Sequence, residues 1–375
     1  MARRRPSLHR IRLLVVAVST VFQLPALALL SRYGRRLGTF GALLPYALAV
    51  AITLPHLVVM LKKPFVDQPK PAWLRRLFLR PFFMWWSTSA LFLVLGTVTA
   101  SVAWATQRDG STAAALALGL SAIGGLWSVA RGPRLIELDV DVPGLSAQFD
   151  GYRIGQISDI HCGSFTHRNA IERWAATLNA ARPDLIAVTG DLITSGDAFT
   201  EDVAAALSTL VAPDGVYACM GNHDYFCDAE RLVAALREGG LKVLRNEGEH
   251  IERDGARLYV AGVEDKWTSR DDLTRTLAAR DGATTLLLAH DPNHFTAAVA
   301  AGVELQLSGH THGGQLAFPG AGGRYNLARL ITRYTNGLFS DGRSRLYVSR
   351  GAGTTGPPVR LFAPAELTIL RLRAT

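Results

Sequence analysis

The sequence predicts two regions, an N-terminal multi-span α-helical membrane region (1–130) and a C-terminal α/β domain (131–375). Long apolar stretches, almost free of charged residues, fill the first third of the 375-residue chain. The basic excess is confined to residues 1–80, which carry +13, so the rest of a chain of net charge +9 carries −4. From residue 131 onward, short runs rich in Val, Ile and Leu alternate with Ala-rich segments of helical period, which is typical of α/β domains.

Four apolar stretches are long enough to cross a bilayer, which needs about 20 helical residues. They are residues 11–30, 39–61, 82–106 and 111–130. Tryptophans lie near the ends of the last two, where amphipathic rings favour the headgroup layer. A soluble bundle of buried helices is the alternative, but soluble helices normally show a polar stripe.

Basic residues predict how these spans are oriented. They concentrate at the N-terminus and in the loop 62–80, which both belong inside under the positive-inside rule, although three arginines in the first loop oppose it. Four spans would place the C-terminal domain on the cytoplasmic side of a bacterial-type inner membrane. A cleaved signal peptide ending near "ALA" (26–28) would leave three spans and the same cytoplasmic domain, whereas three spans without cleavage would reverse the orientation. The three cysteines have no disulfide-like spacing and fit a reducing compartment.

The C-terminal region predicts sheets covered by helices. The strand candidates are 153–158, 184–189, 215–220, 257–263, 284–289, 304–308, 345–349 and 366–372. The helix candidates are 168–181, 199–211, 228–238, 270–280 and 293–301.

Metal-type ligands follow five of the strand candidates, at the point where each strand ends. These ligands are Asp159, His161, Asp191, Asn222, His290, His310 and His312. Ligands in open α/β sheets bind beyond the carboxyl ends of the strands, so these side chains should gather in one place. Each motif alone is more typical of a turn or of a core histidine. Together they are too many for one tetrahedral ion, and they predict a dinuclear site for Mn²⁺, Zn²⁺ or Fe.

In this order the motifs resemble those of the calcineurin-like metallophosphoesterases, D-x-H, G-D, G-N-H-[DE], H and G-H-x-H. The corresponding stretches are "SDIH" (158–161), "TGDLI" (189–193), "MGNHD" (220–224), "AHD" (289–291) and "SGHTHGG" (308–314). The later "YVSRGAGTTGPPVRLFAPAELTIL" is similar to the membrane-associated phosphodiesterase branch of that superfamily. The resemblance covers roughly residues 140–375 and implies a two-sheet α/β/β/α sandwich.

The resemblance also implies a role for each matching residue. One metal would be held by Asp159, His161 and His312. The second would be held by Asn222, His290 and His310, with Asp191 bridging both. Two divalent ions, Mn²⁺ being expected, would lower the pKa of a bridging water and clamp the phosphate. The catalytic residues would be His223, as general acid or transition-state stabiliser, and Asp224, which would orient its ring.

Several residues outside these motifs have less specific interpretations. Cys162 is expected to be a small buried residue and not a ligand, and His294 to have a supporting role. Arg324, Arg350 and Arg360 are candidates for contact with a phosphate, with an ordinary surface arginine as the alternative for each.

The function expected from these features is a membrane-anchored phosphoesterase that cleaves a phosphodiester or pyrophosphate bond. A substrate that lives in the bilayer, such as a UDP-diacylglucosamine-type lipid precursor, would explain the anchor. One alternative is a phosphodiesterase or nuclease for soluble nucleotides or nucleic acid, but the −4 charge of residues 81–375 disfavours nucleic acid. The other alternative, a non-catalytic metal sensor, is disfavoured because every ligand position and the expected acid are present.

Overall fold

The computed structural model describes residues 17, 20–62, 66–129, 132–318 and 325–375. The chain divides into two compact units. One contains Met1–Phe65 and Lys70–Ala130, and the other contains Val66–Pro69 and Arg131–Thr375. The short segment Val66–Pro69 therefore groups with the C-terminal unit, although in sequence it lies between two apolar helices.

The N-terminal unit consists of long apolar helices. Within its described residues these are α1 (Leu24–Gly34), α2 (Gly38–Lys62), α3 (Arg80–Thr106) and α4 (Ser111–Ser128). A 3-10 turn (Arg35–Leu37) follows α1, and the helical residues Ala72–Leu74 and a π-helical turn (Arg75–Leu79) lead into α3. Three described stretches are long and apolar enough to cross a membrane, namely Leu24–Val58, Ala72–Thr106 and Ser111–Ser128. They overlap the last three predicted spans, whereas the predicted span 11–30 lies partly outside the described residues.

Helices α3 and α4 approach closely because small residues line one face of α4. Ala117, Ser121 and Gly125 recur at intervals of four residues and are buried. A Cβ atom on Gly125 would lie 2.2 Å from the hydroxyl oxygen of Thr88 on α3, so a larger residue would force the helices apart. This spacing is typical of membrane helices that pack through their backbones.

Two six-stranded sheets form the C-terminal unit. Their strands are β1 (Arg134–Val142), β2 (Arg153–Ile157), β3 (Leu185–Thr189), β4 (Val216–Cys219), β5 (Lys242–Val243), β6 (Glu247–Arg253), β7 (Ala256–Gly262), β8 (Thr284–Leu288), β9 (Leu305–Ser308), β10 (Gly337–Asp341), β11 (Ser344–Val348) and β12 (Glu366–Ala374). The first sheet has the order β1-β12-β2-β3-β4-β5 and the second the order β10-β11-β9-β8-β7-β6. Strands β2 to β5 are parallel, as are β7, β8, β9 and β11. The strands that precede the predicted ligands therefore all end at the same edge of their sheets.

The sheets pack face to face because successive side chains of a strand point to opposite faces. Along β3, Leu185 and Ala187 pack in the core between the sheets, whereas Ile186 and Val188 pack against helices. The helices on the first sheet are α5 (Arg168–Ala180), α6 (Thr200–Leu207) and α7 (Ala229–Glu238), and those on the second are α8 (Leu273–Thr276) and α9 (Phe295–Ala300). This is a two-sheet α/β/β/α sandwich, so the predicted fold class is confirmed.

Candidate metal centre

The loops that follow β2, β3, β8 and β9 bring six of the predicted ligands together in two groups. In the first group, ligand atoms of Asp159, His161, Asp191 and His312 all lie within 4.8 Å of one another. In the second, the same holds for Asp191, His290 and His310. Both groups are almost entirely buried, and Asp191 belongs to both.

The first group is arranged around two imidazole nitrogens. The Nε2 atoms of His161 and His312 lie 2.9 Å apart. A carboxylate oxygen stands on either side of them, with Asp191 Oδ2 3.5 Å from the His161 nitrogen and Asp159 Oδ1 3.3 Å from the His312 nitrogen. Burial, together with neighbouring positive charges, lowers the pKa of His161 to about 3, so its ring is neutral as a metal ligand must be.

The second group uses the other oxygen of Asp191. Asp191 Oδ1 lies 3.3 Å from His290 Nε2, and this nitrogen lies 3.3 Å from His310 Nδ1. The His290 ring is fixed because its Nδ1 donates to the backbone carbonyl of Thr189 at 2.7 Å, which leaves Nε2 free to bind a metal. Burial opposes ionisation of Asp191, but the charge and hydrogen bond of His290 hold the pKa of Asp191 well below its ordinary value. The carboxylate of Asp191 is therefore ionised, as a metal ligand must be.

The donor set fits metal ions, because two buried oxygens of the site have no hydrogen-bond partner. They are Asp159 Oδ2 and Asn222 Oδ1. Buried polar atoms are nearly always paired, so such orphans in a cluster of carboxylates and imidazoles are suited to bind a cation. Asn222 lies beside the bridging carboxylate, since a Cβ atom on the preceding Gly221 would be 2.3 Å from Asp191 Oδ1.

The backbone is strained at most of the ligands. Five non-glycine ligands have a positive φ: Asp159 (51°), His161 (47°), Asp191 (53°), His310 (70°) and His312 (53°). This left-handed conformation is uncommon outside glycine and tends to cluster at functional sites. Gly309 shows how tightly the loops pack, because a Cβ atom there would lie 2.2 Å from Asp159 Oδ2.

His223 differs from the ligands in that its ring is only half-buried. Its Nδ1 lies 2.7 Å from the carbonyl oxygen of Thr194, and its ring stands edge-on to His161 with centroids 4.7 Å apart. The expectation that Asp224 orients this ring is not met, because the Asp224 carboxylate instead accepts the backbone N–H groups of Leu192, Ile193 and Gly221. Asp224 therefore ties together the loops that carry Asp191 and Asn222.

The arginines expected as candidates for phosphate contact have other roles where they are described. Arg360 is buried, and its guanidinium donates to five backbone carbonyl oxygens, those of His312, Arg350, Gly351, Gly353 and Ala363. It also lies 3.3 Å from His312 Nδ1, so it fixes the back of that ligand and is not a surface residue. Arg350 pairs with the buried Glu366, and Arg324 lies outside the described residues.

Three more features accompany the site. Cys162 is a buried free thiol, as expected, and belongs to neither ligand group. His294 is buried 3.9 Å from an oxygen of Asp271. The exposed side chains of Phe226 and Trp267 pack against His223 and His310, with ring centroids 5.0 and 6.0 Å apart. Neither aromatic is a motif residue, because Phe226 lies two residues beyond "MGNHD" (220–224) and Trp267 lies in no motif, so the sequence did not mark them.

Comparison with known proteins points to one family. Residues 152–314 match the calcineurin-like phosphoesterases. The chain is 33% identical over 276 residues to an uncharacterized metallophosphoesterase, YkuE of Bacillus subtilis (strain 168), a match that covers 70% of this chain and 94% of that protein. It is 30% identical over 270 residues to the transmembrane protein with metallophosphoesterase domain of Danio rerio, covering 67% of this chain and 60% of that protein. It is also 30% identical to the uncharacterized metallophosphoesterase Cj0846 of Campylobacter jejuni, covering 64% of this chain and 63% of that protein.

Proposed function

Since this chain belongs to the calcineurin-like phosphoesterase family, and is thus a metal-dependent phosphoesterase, we propose that it hydrolyses a lipid-linked phosphodiester or pyrophosphate with two divalent ions. The observation that carries the proposal is the pair of ligand groups that share Asp191. The two oxygens of its carboxylate face different imidazoles, His161 and His290, as expected of a bridging ligand. We assign Asp159 and His312 to the ion beside His161, and Asn222 and His310 to the ion beside His290.

The bound ions would lower the pKa of a coordinated water and neutralise the charge of the phosphate. Mixed oxygen and imidazole ligands suit Mn²⁺ best, with Zn²⁺ or Fe as alternatives. The protein contributes rigid positioning, because the ligand rings are fixed by the Thr189 carbonyl and by Arg360 before any substrate arrives.

His223 is placed to move a proton. Because its Nδ1 faces the Thr194 carbonyl, Nδ1 carries a hydrogen and Nε2 remains to exchange a proton with the substrate. A half-buried ring beside a buried ligand group is suited to donate that proton to the leaving-group oxygen. Asp224 supports this step indirectly by holding the loops on both sides.

The substrate class follows from the anchor. A chain with three described helices long and apolar enough to span a membrane is best explained if its substrate lies in that membrane. We place the protein in a bacterial-type inner membrane as a multi-pass protein, with the catalytic domain in the cytoplasm. A UDP-diacylglucosamine-type precursor is one lipid that carries a suitable pyrophosphate.

The test uses the full chain reconstituted in lipid nanodiscs. We expect it to hydrolyse bis-p-nitrophenyl phosphate with Mn²⁺, to lose activity after chelation and to regain it when the ion is restored. If the full chain binds two ions but hydrolyses no phosphoester, the result would instead favour a metal sensor.

A second experiment tests the substrate class. Cells that lack the protein should accumulate a phosphate-containing lipid, and an unchanged lipid profile would contradict the lipid-linked assignment. A cytoplasm-specific reporter fused after Thr375 should be active if the orientation is right.

A further inference from the structure

Exposed apolar side chains are concentrated on the loops around the metal centre. Phe226, Trp267, Phe318, Leu330 and Ile331 are exposed by 54%, 65%, 62%, 86% and 79%. We call these five side chains the apolar rim. Soluble surfaces rarely expose a contiguous group of large apolar side chains, and such groups usually mark a binding surface.

The rim residues lie on loops that carry the predicted ligands or on segments that pack against those loops. Phe226 and Trp267 touch His223 and His310 directly. Leu330 and Ile331 lie at the end of the 3-10 turn Leu327–Leu330, whose preceding residue, Asn326, packs against Gly314 in the turn that begins at His312.

The far end of this rim segment is held in the same way. The hydroxyl of Thr332, next to Ile331, donates to Asn293 at 2.8 Å, three residues beyond the ligand His290. Leu330 and Ile331 are therefore held in place on the loop that borders the site.

Basic residues flank the most exposed part of the rim. The stretch "LARLITR" (327–333) places Arg329 and Arg333 on either side of Leu330 and Ile331. Arg329 lies over the exposed ring of Tyr325, with its guanidinium carbon 5.7 Å from the ring centroid. Apolar side chains between arginines are typical of segments that lie at a bilayer surface, where the arginines meet anionic headgroups and the apolar groups enter the acyl boundary.

The chain itself brings membrane-adjacent sequence to this rim. The segment Val66–Pro69 groups with the catalytic domain, and the Asp67 carboxylate accepts the backbone N–H of Ser164 at 2.7 Å. Ser164 is three residues beyond the ligand His161. On the same side, Gly196 donates its backbone N–H to the carbonyl of Phe226 at 2.9 Å, and a Cβ atom on Gly196 would lie 2.6 Å from the Val66 side chain.

Only a few residues separate this segment from helix ends. In sequence, Val66 is four residues after the end of α2 at Lys62, and Pro69 is three residues before Ala72, where the next helical stretch begins. Both stretches belong to candidate membrane spans, so the segment that packs beside Ser164 is only a few residues from candidate spans in the sequence.

We infer that the apolar rim docks on the anionic lipid surface of the membrane that anchors this chain, and so admits substrates to the metal centre from the bilayer. The inference rests on the proposed function for its substrate but not for the docking itself. Val211 offers a matched control, because it is 68% exposed in the same domain and lies before β4, at the opposite end of that strand from the ligands.

The first test measures immersion without catalysis. A nitroxide is attached at Ile331→Cys or at Val211→Cys in a Cys227→Ser background of the full chain, since Cys162 and Cys219 are buried. The chain is placed in nanodiscs of phosphatidylethanolamine and phosphatidylglycerol. We expect the label at 331 to be more accessible to oxygen than to a water-soluble nickel chelate, and the label at 211 to show the reverse. The inference would be overturned if both labels were more accessible to the nickel chelate than to oxygen. It would also be overturned if spin–spin broadening at position 331 showed that a second copy of the chain covers the rim.

The second test measures substrate access. The double variant Leu330→Ser/Ile331→Ser is compared with Val211→Ser on hexadecyl p-nitrophenyl phosphate in the bilayer and on soluble bis-p-nitrophenyl phosphate. We expect the ratio of the two rates to fall about tenfold in the double variant, because two apolar contacts with lipid are lost, and to stay unchanged in the control. An unchanged ratio in both variants would contradict the inference. If the label at position 331 is immersed in lipid but the chain hydrolyses neither ester, the proposed function would be refuted and the docking surface would be supported.

Discussion

The two sheets of the catalytic domain supply different chemistry to the metal centre. The first sheet contributes the proposed oxygen ligands, Asp159, Asp191 and Asn222, together with one imidazole, His161. The second sheet contributes imidazoles alone, from His290, His310 and His312. The carboxylates of the candidate centre therefore come from one sheet and most of its imidazoles from the other.

Each set is fixed by the backbone of the opposite sheet. Asp159 Oδ1, from the first sheet, accepts the backbone N–H of His310 at 2.9 Å. His290, from the second sheet, donates to the carbonyl of Thr189 at 2.7 Å. The geometry of each half therefore depends on the packing of the two sheets against each other.

The largest effect is expected at the residue that joins the two halves. Asp191→Asn removes the charge that faces both His161 and His290, so both metal positions should weaken and turnover should fall by about 10³-fold or more. Metal content by mass spectrometry checks this, with Asp159→Asn as the matched control at a carboxylate that serves one group only. Retention of two ions by the Asp191 variant would show that Asp191 is not the bridge.

A smaller effect, without loss of metal, is expected at His223. His223→Ala removes the proposed proton donor but none of the ligands, so turnover should fall by about 10²- to 10⁴-fold while both ions stay bound. The activity loss should be less for a substrate with an acidic leaving group, such as p-nitrophenol, than for an alkyl ester. If metal content fell together with turnover, His223 would have to be counted among the ligands of the first sheet.

The sequence alone predicted most of the fold and the strand-end residues that the structure brings together. Each predicted ligand follows an apolar run that ends in a glycine, serine or alanine, and parallel strands bring such ends to one edge. All eight strand candidates correspond to strands of the structure. The alternation in β1 (Arg134–Val142) was missed because its polar side chains resemble those of a loop and its partner, β12, is more than 200 residues away.

Contacts between segments that are distant in the sequence could not be predicted from local sequence patterns. Arg360 carries no local signal of burial, and its role depends on carbonyl groups that converge only after the sheets pack. The segment Val66–Pro69 lies between two candidate membrane spans in the sequence. No hydrophobic periodicity in that segment predicts its position beside Ser164. The aromatics Phe226 and Trp267 similarly become part of the site only through the turns that present them.

The smallest of the expected effects separates the two metal positions. Arg360→Gln removes a buried guanidinium that holds the carbonyl of His312 and lies against its ring, and the freed carbonyls should lower the free energy of unfolding by about 2–4 kcal/mol. Because a ligand that loses its supporting contact typically binds metal 10- to 100-fold more weakly, we expect one of the two ions to weaken by about that factor. Metal titration followed by calorimetry and chemical unfolding measures both changes, and Arg257→Gln, at an exposed ion pair with Asp281, is the control. The ion beside His290 should keep its affinity, since the ring of His290 is fixed by Thr189. Equal weakening of both ions would mean that the two metal positions are coupled through the packed sheets.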